Sequence, residues 1–388
     1  MFKLIGAKKA PYDGDGRDEV IKEFLCDTDA DFANLPVCDP GSSAVSIESG
    51  TVVTVNTKGK WQEFGAPYVD LKAGLYVDGV MTKSWKELLE DEIIYIKDGA
   101  LYGNLDDTSV FAGTLHIAED GSVTAIGGDA FSGCEELTGV IMPDSVTQIG
   151  YRAFQDCYAL TSIVIPDSVT RIGDSAFSGS GLASITFGTG LKIIEDDAFR
   201  ECGLVSVELP YGLEELGGAF EGCENLEYVY IPNTVTSICG DELFYDCPKI
   251  DNIVIPDSVT EIGEYLFSYC TVAKNLTLGN GITVLPAQTF YECAALECID
   301  IPDSVVTIEG SAIEENINLK TVTIGSGVKH IEYSALYGSP ALTEIYFRGT
   351  MEQWNAIILE EDWLRCDGAP VTEIICSDGT VSLVAEEA

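Results

Sequence analysis

One spacing governs what this chain can fold into. Aligned on an apolar anchor, Phe131, Phe154, Phe177, Phe199, Phe220, Phe244, Phe267, Phe290, Ile313 and Leu336 recur at steps of 23, 23, 22, 21, 24, 23, 23, 23 and 23 residues. A step so short and constant is the mark of stacked repeats, each a single supersecondary unit. The clearest unit reads LTSIVIPDSVTRIGDSAF, from Leu160 to Phe177. Leu160, Ile163 and Ile165 form one apolar face of a strand. Pro166 ends that strand, because it has no N–H to give to a ladder. Asp167 and Ser168 are expected to fill the turn by bonding back to nearby main chain. Val169 and Ile172 point inward again, Gly173 allows a tight bend, and Ala176–Phe177 plugs the far side of the core.

No such unit buries its apolar face alone, so stability comes from contacts between neighbouring turns. A chain of 388 residues is too long for one ordinary compact core, but an array escapes that limit by growing along one axis. Ten turns of parallel strands, about 4.8 Å apart, make an array roughly 48 Å long.

The string IPDSVTxIGxxAFxxC resembles the BspA-like, treponemal-type leucine-rich repeats, and the likeness covers residues 112–348. The resemblance implies a leucine-rich-repeat solenoid, β-rich with parallel strands, in ten turns of about 23 residues. It also implies a non-catalytic interaction module, of a family whose members are usually secreted. Its partner would be a protein or glycan ligand on a cell surface.

A solenoid needs both end turns covered. At the C-terminal end (349–388), Thr350 and Gln353 form a capping box for a short helix. Trp354 and Trp363 cover the last turn, and VTEIICSDGTVSLV reads as a hairpin around Ser377–Gly379. Residues 66–111 are expected to be the N-terminal cap. Within them, GLYVDGVMTKSWKELLEDEIIYIKDG reads as strand, helix, strand, with Ser84 and Glu87 as a capping box. Residues 1–65 share no period with the array and read as a small α+β domain. Its strands lie in EVIKEFLC, SSAVSIES, TVVTVN and KWQEFG, with a helix capped by Asp27 or Thr28 and a turn at Lys58–Gly59. The stretch from Phe24 to Trp61 resembles a short domain of phage and prophage structural proteins. That resemblance implies attachment to virion proteins through residues 1–65.

Charge narrows the partners. The chain holds 64 acidic and 21 basic residues, net -43, and -36 of that lies beyond Asp98. Such a surface repels phosphate backbones and anionic lipid heads, so nucleic acid and membrane insertion are not expected. The N-terminus lacks the apolar core of a secretion signal, and no stretch reaches membrane-spanning length. The expected location is therefore cytoplasmic as synthesised, with incorporation in a virion under the phage reading.

No cofactor, metal or catalytic set is expected. Asp27, Asp29 and Asp31 start like a calcium loop, but Phe32 and Cys38 stand where that loop needs glycine and glutamate. Asp13, Asp15 and Asp18 miss the same template. Among 13 cysteines there is no CxxC pair. Seven fall three residues after an anchor, at Cys134, Cys157, Cys202, Cys223, Cys247, Cys270 and Cys293, with Ser180, Asn316 and Ser339 taking that place elsewhere. Stacked side chains point the same way and suit a disulfide poorly, so this column is expected to be reduced core. The only histidines, His116 and His330, fall in turns too far apart to share a site.

The outward strand positions are the candidate binding surface: Glu208, Glu227, Tyr228, Tyr230, Asp251, Asn252, Asn275, Asp300 and Tyr346, on a face otherwise rich in small hydroxyl residues. Exposed aromatics mark contact points, whereas tyrosines on a sheet also pack across strands; both readings of Tyr228 and Tyr230 stand at this level. The functional expectation is a virion-associated binding protein, with a bacterial interaction or adhesin protein lacking any phage link as the alternative.

Overall fold

The computed structural model describes residues 73–77, 80–365 and 371–383, together with the backbone of five strands within residues 2–63. The chain divides into two compact units, Met1–Ser84 and Trp85–Ala388.

In the first unit, the strands Phe2–Lys9, Val20–Cys26, Ser43–Ser46, Val52–Val55 and Trp61–Glu63 form one sheet in chain order. The second and third strands run parallel and the other neighbours antiparallel. The strand Phe2–Lys9 has no counterpart in the sequence reading, because FKLIGAKK breaks apolar alternation with glycine and lysines. The helix expected after Asp27, the Lys58–Gly59 turn and the Asp13–Asp18 run lie outside the described residues. A hairpin of Gly74–Val77 and Val80–Ser84 completes the unit.

The second unit is a β-solenoid of about eleven turns. It opens with the helix Trp85–Glu90, of which only Leu88 is fully buried. The segment read as strand, helix, strand holds more strands than that. After the helix come Ile94–Lys97 and Ala100–Gly103, paired as a hairpin through Asp98–Gly99. Both turn residues have positive φ, 52° and 79°, as a tight hairpin turn requires.

Each turn of the array has three sides. The first carries the longer strand, such as Ser162–Val164, whose central Ile163 is buried between exposed neighbours. The second carries a two-residue strand, such as Arg171–Ile172, paired in parallel with Gln148–Ile149 and Ile193–Ile194. The third carries the anchor. From Phe131 to Phe290 the anchor rings form a continuous parallel stack, with centroids 5.2–6.0 Å apart. Phe111, which the period does not reach, closes that stack edge-on against Phe131 at 5.3 Å.

The anchor side is not a β-strand. Except at Gly218 before Phe220, residues two before and two after each anchor adopt left-handed backbone: Arg152 (φ 51°) and Asp156 (φ 56°) around Phe154, Ser175 (φ 55°) and Gly179 (φ 66°) around Phe177. Alternate N–H groups then reach the next turn. Arg152, Phe154 and Asp156 donate to the carbonyls of Asp174, Ala176 and Ser178 at 3.0, 2.7 and 2.9 Å. The groups between them, on Ala153 and Gln155, close tight bends within the turn. Every anchor, from Phe131 to Leu336, makes the forward bond.

The PDSVT string also works between turns. Ser168 Oγ donates to the Val146 carbonyl at 2.6 Å and Thr170 Oγ1 to the Thr147 carbonyl at 3.2 Å. Asp167 accepts from the Thr189 N–H at 2.7 Å. Asp167 and Ser168 are expected to bond back to nearby main chain; these bonds run instead to turns about one period away. Gly173 likewise serves a close approach rather than a bend, since a Cβ there would lie 2.8 Å from the Gly150 carbonyl carbon.

The thiol column is buried, and the ten described cysteines are all free. Cys157, Cys202, Cys223, Cys247, Cys270 and Cys293 each donate Sγ–H to the carbonyl of the preceding turn's anchor, at 3.1–3.2 Å. Asn316 makes the same bond to Phe290 through Nδ2 at 2.8 Å, leaving its Oδ1 buried without a partner. Burial pushes the thiols of Cys134 and Cys202 up to about 12.

The C-terminal cap has the expected form. Thr350 caps the helix Met351–Asn355 in a full capping box with Gln353. Trp354 packs edge-on to Phe347 at 5.3 Å and lies 5.9 Å from Trp363. The strands Glu373–Cys376 and Gly379–Ser382 pair as the hairpin.

Candidate recognition surface

Alternation along the first-side strands sets the candidate face. Val207, Val229 and Ile253 are buried, so the residues on either side of each point outward. Glu208, Glu227, Tyr228, Tyr230, Asp251, Asn252, Asn275 and Asp300 are exposed, and Tyr346 is half-buried. Register brings Glu208 opposite Tyr230, Ser206 opposite Tyr228, and Asn252 opposite Asn275.

These nine residues do not form one group. Tyr228 and Tyr230 are 47% and 48% exposed, and apolar neighbours extend their patch: Val205 one turn before, at 45%, and Val254 one turn after, at 55%. Glu208, Glu227 and Asp251 rim this patch, and none of them makes an ion pair among the described residues. Asp300 belongs elsewhere. Both its carboxylate oxygens lie 2.7 Å from Arg348 Nη2, two turns on. Tyr346 donates to Glu344 at 3.2 Å, and that carboxylate pushes the phenol pKa up. Thr323, Tyr346, Arg348 and Ile375 line a recess of about 310 Å³ beside the C-terminal cap.

The sequence reading missed Arg348. Its partner stands 48 residues away, beyond any local pairing rule. A second recess, of about 540 Å³, also went unforeseen, although its cause is visible in the chain. The residue after each two-residue strand normally donates to the preceding turn, as Gly173 does to Ile149 at 2.8 Å and Glu309 to Leu285 at 2.9 Å. Pro286 has no N–H to give. The second-side sheet stops at Glu261–Ile262 and restarts at Val284–Leu285, with Thr260, Thr283 and Pro286 lining the gap.

His116 lies in the strand Gly113–His116, where burial lowers its pKa, and His330 lies in the distant strand His330–Ile331, 3.0 Å from Glu360. Among the described residues no cluster of three or more His, Cys, Asp or Glu could hold a metal ion, and no helix is long and apolar enough to cross a membrane.

A stack of short parallel strands over one Phe column, repeating every 23 residues or so, defines a leucine-rich-repeat array. The BspA type leucine rich repeat region matches residues 113–218, 147–274 and 237–361, and the chain belongs to that family. Solved structures similar to it include a leucine rich cell surface protein from Faecalibacterium prausnitzii, 20% identical, covering 79% of this chain and 96% of that one with a TM-score of 0.39. The pneumococcal vaccine antigen PcpA is 17% identical, with 87% and 99% covered and a TM-score of 0.43. A leucine-rich repeat protein from Bacteroides ovatus is 21% identical, with 86% and 100% covered and a TM-score of 0.34. No curated protein matches the chain. The family match leaves residues 1–112 uncovered, so the phage-domain resemblance of the N-terminal stretch gains no support from it.

Proposed function

We propose that this protein is a non-catalytic recognition protein whose array binds a protein or glycan ligand on a cell surface through its first-side strands. The carrying observation is the Tyr228–Tyr230 patch. Two half-exposed rings stand on a regular sheet, extended by Val205 and Val254 and rimmed by carboxylates that pair with no cation among the described residues. Aromatic anchors inside a polar rim are the usual centre of a binding surface. The net charge of -43 argues against phosphate-rich partners. Attachment to a virion through residues 1–65 is the narrower form of this proposal, and it rests on sequence resemblance alone. Neighbouring capsid and tail genes would favour it over a bacterial adhesin.

The test is a screen of the full chain against arrayed glycans and bacterial or host surface proteins, repeated with the double variant Tyr228→Ala, Tyr230→Ala. The expected result is a hit that the variant loses while its melting curve stays near wild type. A hit that survives the double variant removes the patch from the proposal. A large fall in Tm assigns the tyrosines to cross-strand packing.

A further inference from the structure

The anchor side carries a second aromatic group, which the strand-face reading does not use. We propose that this side, across the turns of Phe244, Phe267 and Phe290, is a docking surface for an arginine-bearing segment of another protein. Tyr245, Tyr265, Tyr269 and Tyr291 form one edge-to-face network there. The Tyr245–Tyr269 rings lie 5.3 Å apart at 74°, Tyr269–Tyr291 5.5 Å at 73°, and Tyr245–Tyr265 6.4 Å at 72°. All four side chains are half-buried, so each keeps some surface open to a partner.

Charge selects the partner. Stretches 239–248, 263–273 and 286–296, which supply this side in those three turns, hold five carboxylates and neither lysine nor arginine. Elsewhere on the anchor side the chain supplies its own guanidinium. Arg152 lies 4.6 Å over the Tyr151 ring, Arg365 lies 5.8 Å over Tyr337, and Arg200 pairs with Glu221 at 2.7 Å. Among the described residues no arginine of the chain does this for the four tyrosines. A planar guanidinium stacks on an aromatic ring and forks onto a carboxylate together, which a lysine ammonium does less well.

Backbone geometry adds an independent reason. Tyr265 (φ 57°) and Tyr269 (φ 62°) both occupy left-handed positions, where other turns place serine, aspartate, glycine, arginine, glutamate or glutamine but no other aromatic residue. A bulky side chain is held there against its preference, and such residues cluster where a surface is used. Packing the array does not require the rings, since turns with Ser175 and Gly179 at these positions stack their anchors equally closely.

The experiment is calorimetric titration of the full chain with an eight-residue alternating Arg-Gly peptide and a Lys-Gly peptide of equal charge. The arginine peptide is expected to bind about tenfold more tightly. Tyr269→Gly removes one ring at a backbone position that suits glycine, so the variant keeps its fold. It should lose most of that preference, as should Tyr245→Leu, while Tyr228→Ala should leave it unchanged. Equal affinity for the two peptides, a preference that survives both Tyr269→Gly and Tyr245→Leu, or one that Tyr228→Ala abolishes overturns the proposal. The last control also separates it from the strand-face reading, which stands or falls on Tyr228.

Discussion

The first and third sides of the array solve one problem by different means. Both must link each turn to the next through backbone hydrogen bonds. The Ser162–Val164 side does so with extended strands, in which buried and exposed residues alternate. The Phe154 side does so with left-handed residues flanking a buried ring, and half of its N–H groups close bends within the turn. A strand tolerates almost any outward residue, so the first side is free to vary in composition. The anchor side is bound to a bulky apolar plug every period, and its left-handed positions carry a conformational penalty wherever they are not glycine.

The largest test of that contrast pairs Phe154→Ala with Val164→Ala. The first opens a void inside the ring stack and should lose about 3–5 kcal/mol. The second trims an exposed strand residue and should change stability by less than about 0.5 kcal/mol. Urea unfolding of both variants measures the difference, and equal losses would mean that the anchor stack does not dominate.

Next in size is the thiol column behind the anchors. Asn316→Cys keeps a donor for the Phe290 carbonyl and removes the buried Oδ1 that has no partner. We expect a gain of about 1–2 kcal/mol. A loss would show that the amide's second bond, to the Ile313 carbonyl at 2.9 Å, outweighs the stranded oxygen.

Glycine should act with opposite sign on the two sides. Gln288→Gly, at φ 54°, should stabilise by up to about 1 kcal/mol, whereas Thr277→Gly on a strand should destabilise by about 0.5–1 kcal/mol. Thermal unfolding of the pair decides this, and the same sign in both would sink the account of the anchor side.

The smallest expected effect is one of pH. Burial, the main cause, pushes Glu221 up to about 7, against the opposing pull of Arg200. A carboxyl with a raised folded-state pKa binds its proton more tightly in the native state. Its share of stability is therefore full below the ordinary glutamate range and lost as pH rises through about 7. Wild type should melt slightly higher at pH 5 than at pH 8 relative to Glu221→Gln. An identical pH profile for the two proteins would remove Glu221 as the cause.

Much of the fold was legible because a repeat states each instruction many times. The anchor column, the buried thiols, the Thr350–Gln353 box and the outward strand positions follow from spacing within one or two turns. The candidate surface was legible only as a list. Which members stand together depended on partners that spacing does not reveal, since Arg348 takes Asp300 out of the group and Val205 and Val254 join it. The Asp98–Gly99 turn was legible, but the strand-helix-strand reading ends there and gives Ala100–Gly103 no strand, and it reads the paired strands Gly74–Val77 and Val80–Ser84 as one.

By itself, then, the sequence determined that the chain stacks in turns of about 23 residues around one apolar column, because only a repeated pattern of that step buries itself on its own copies. Tertiary structure alone decided how the turns are joined. The left-handed positions are filled by Arg, Asp, Ser, Glu, Tyr and Gln, which share no chemistry, so no residue pattern announces them. Serine, threonine and cysteine spend their hydrogen bonds on main chain about one period away, and a proline opens the sheet by withholding one N–H from a neighbouring turn. Such contacts exist only between turns, and they acquire a partner only once the chain has come round to meet itself.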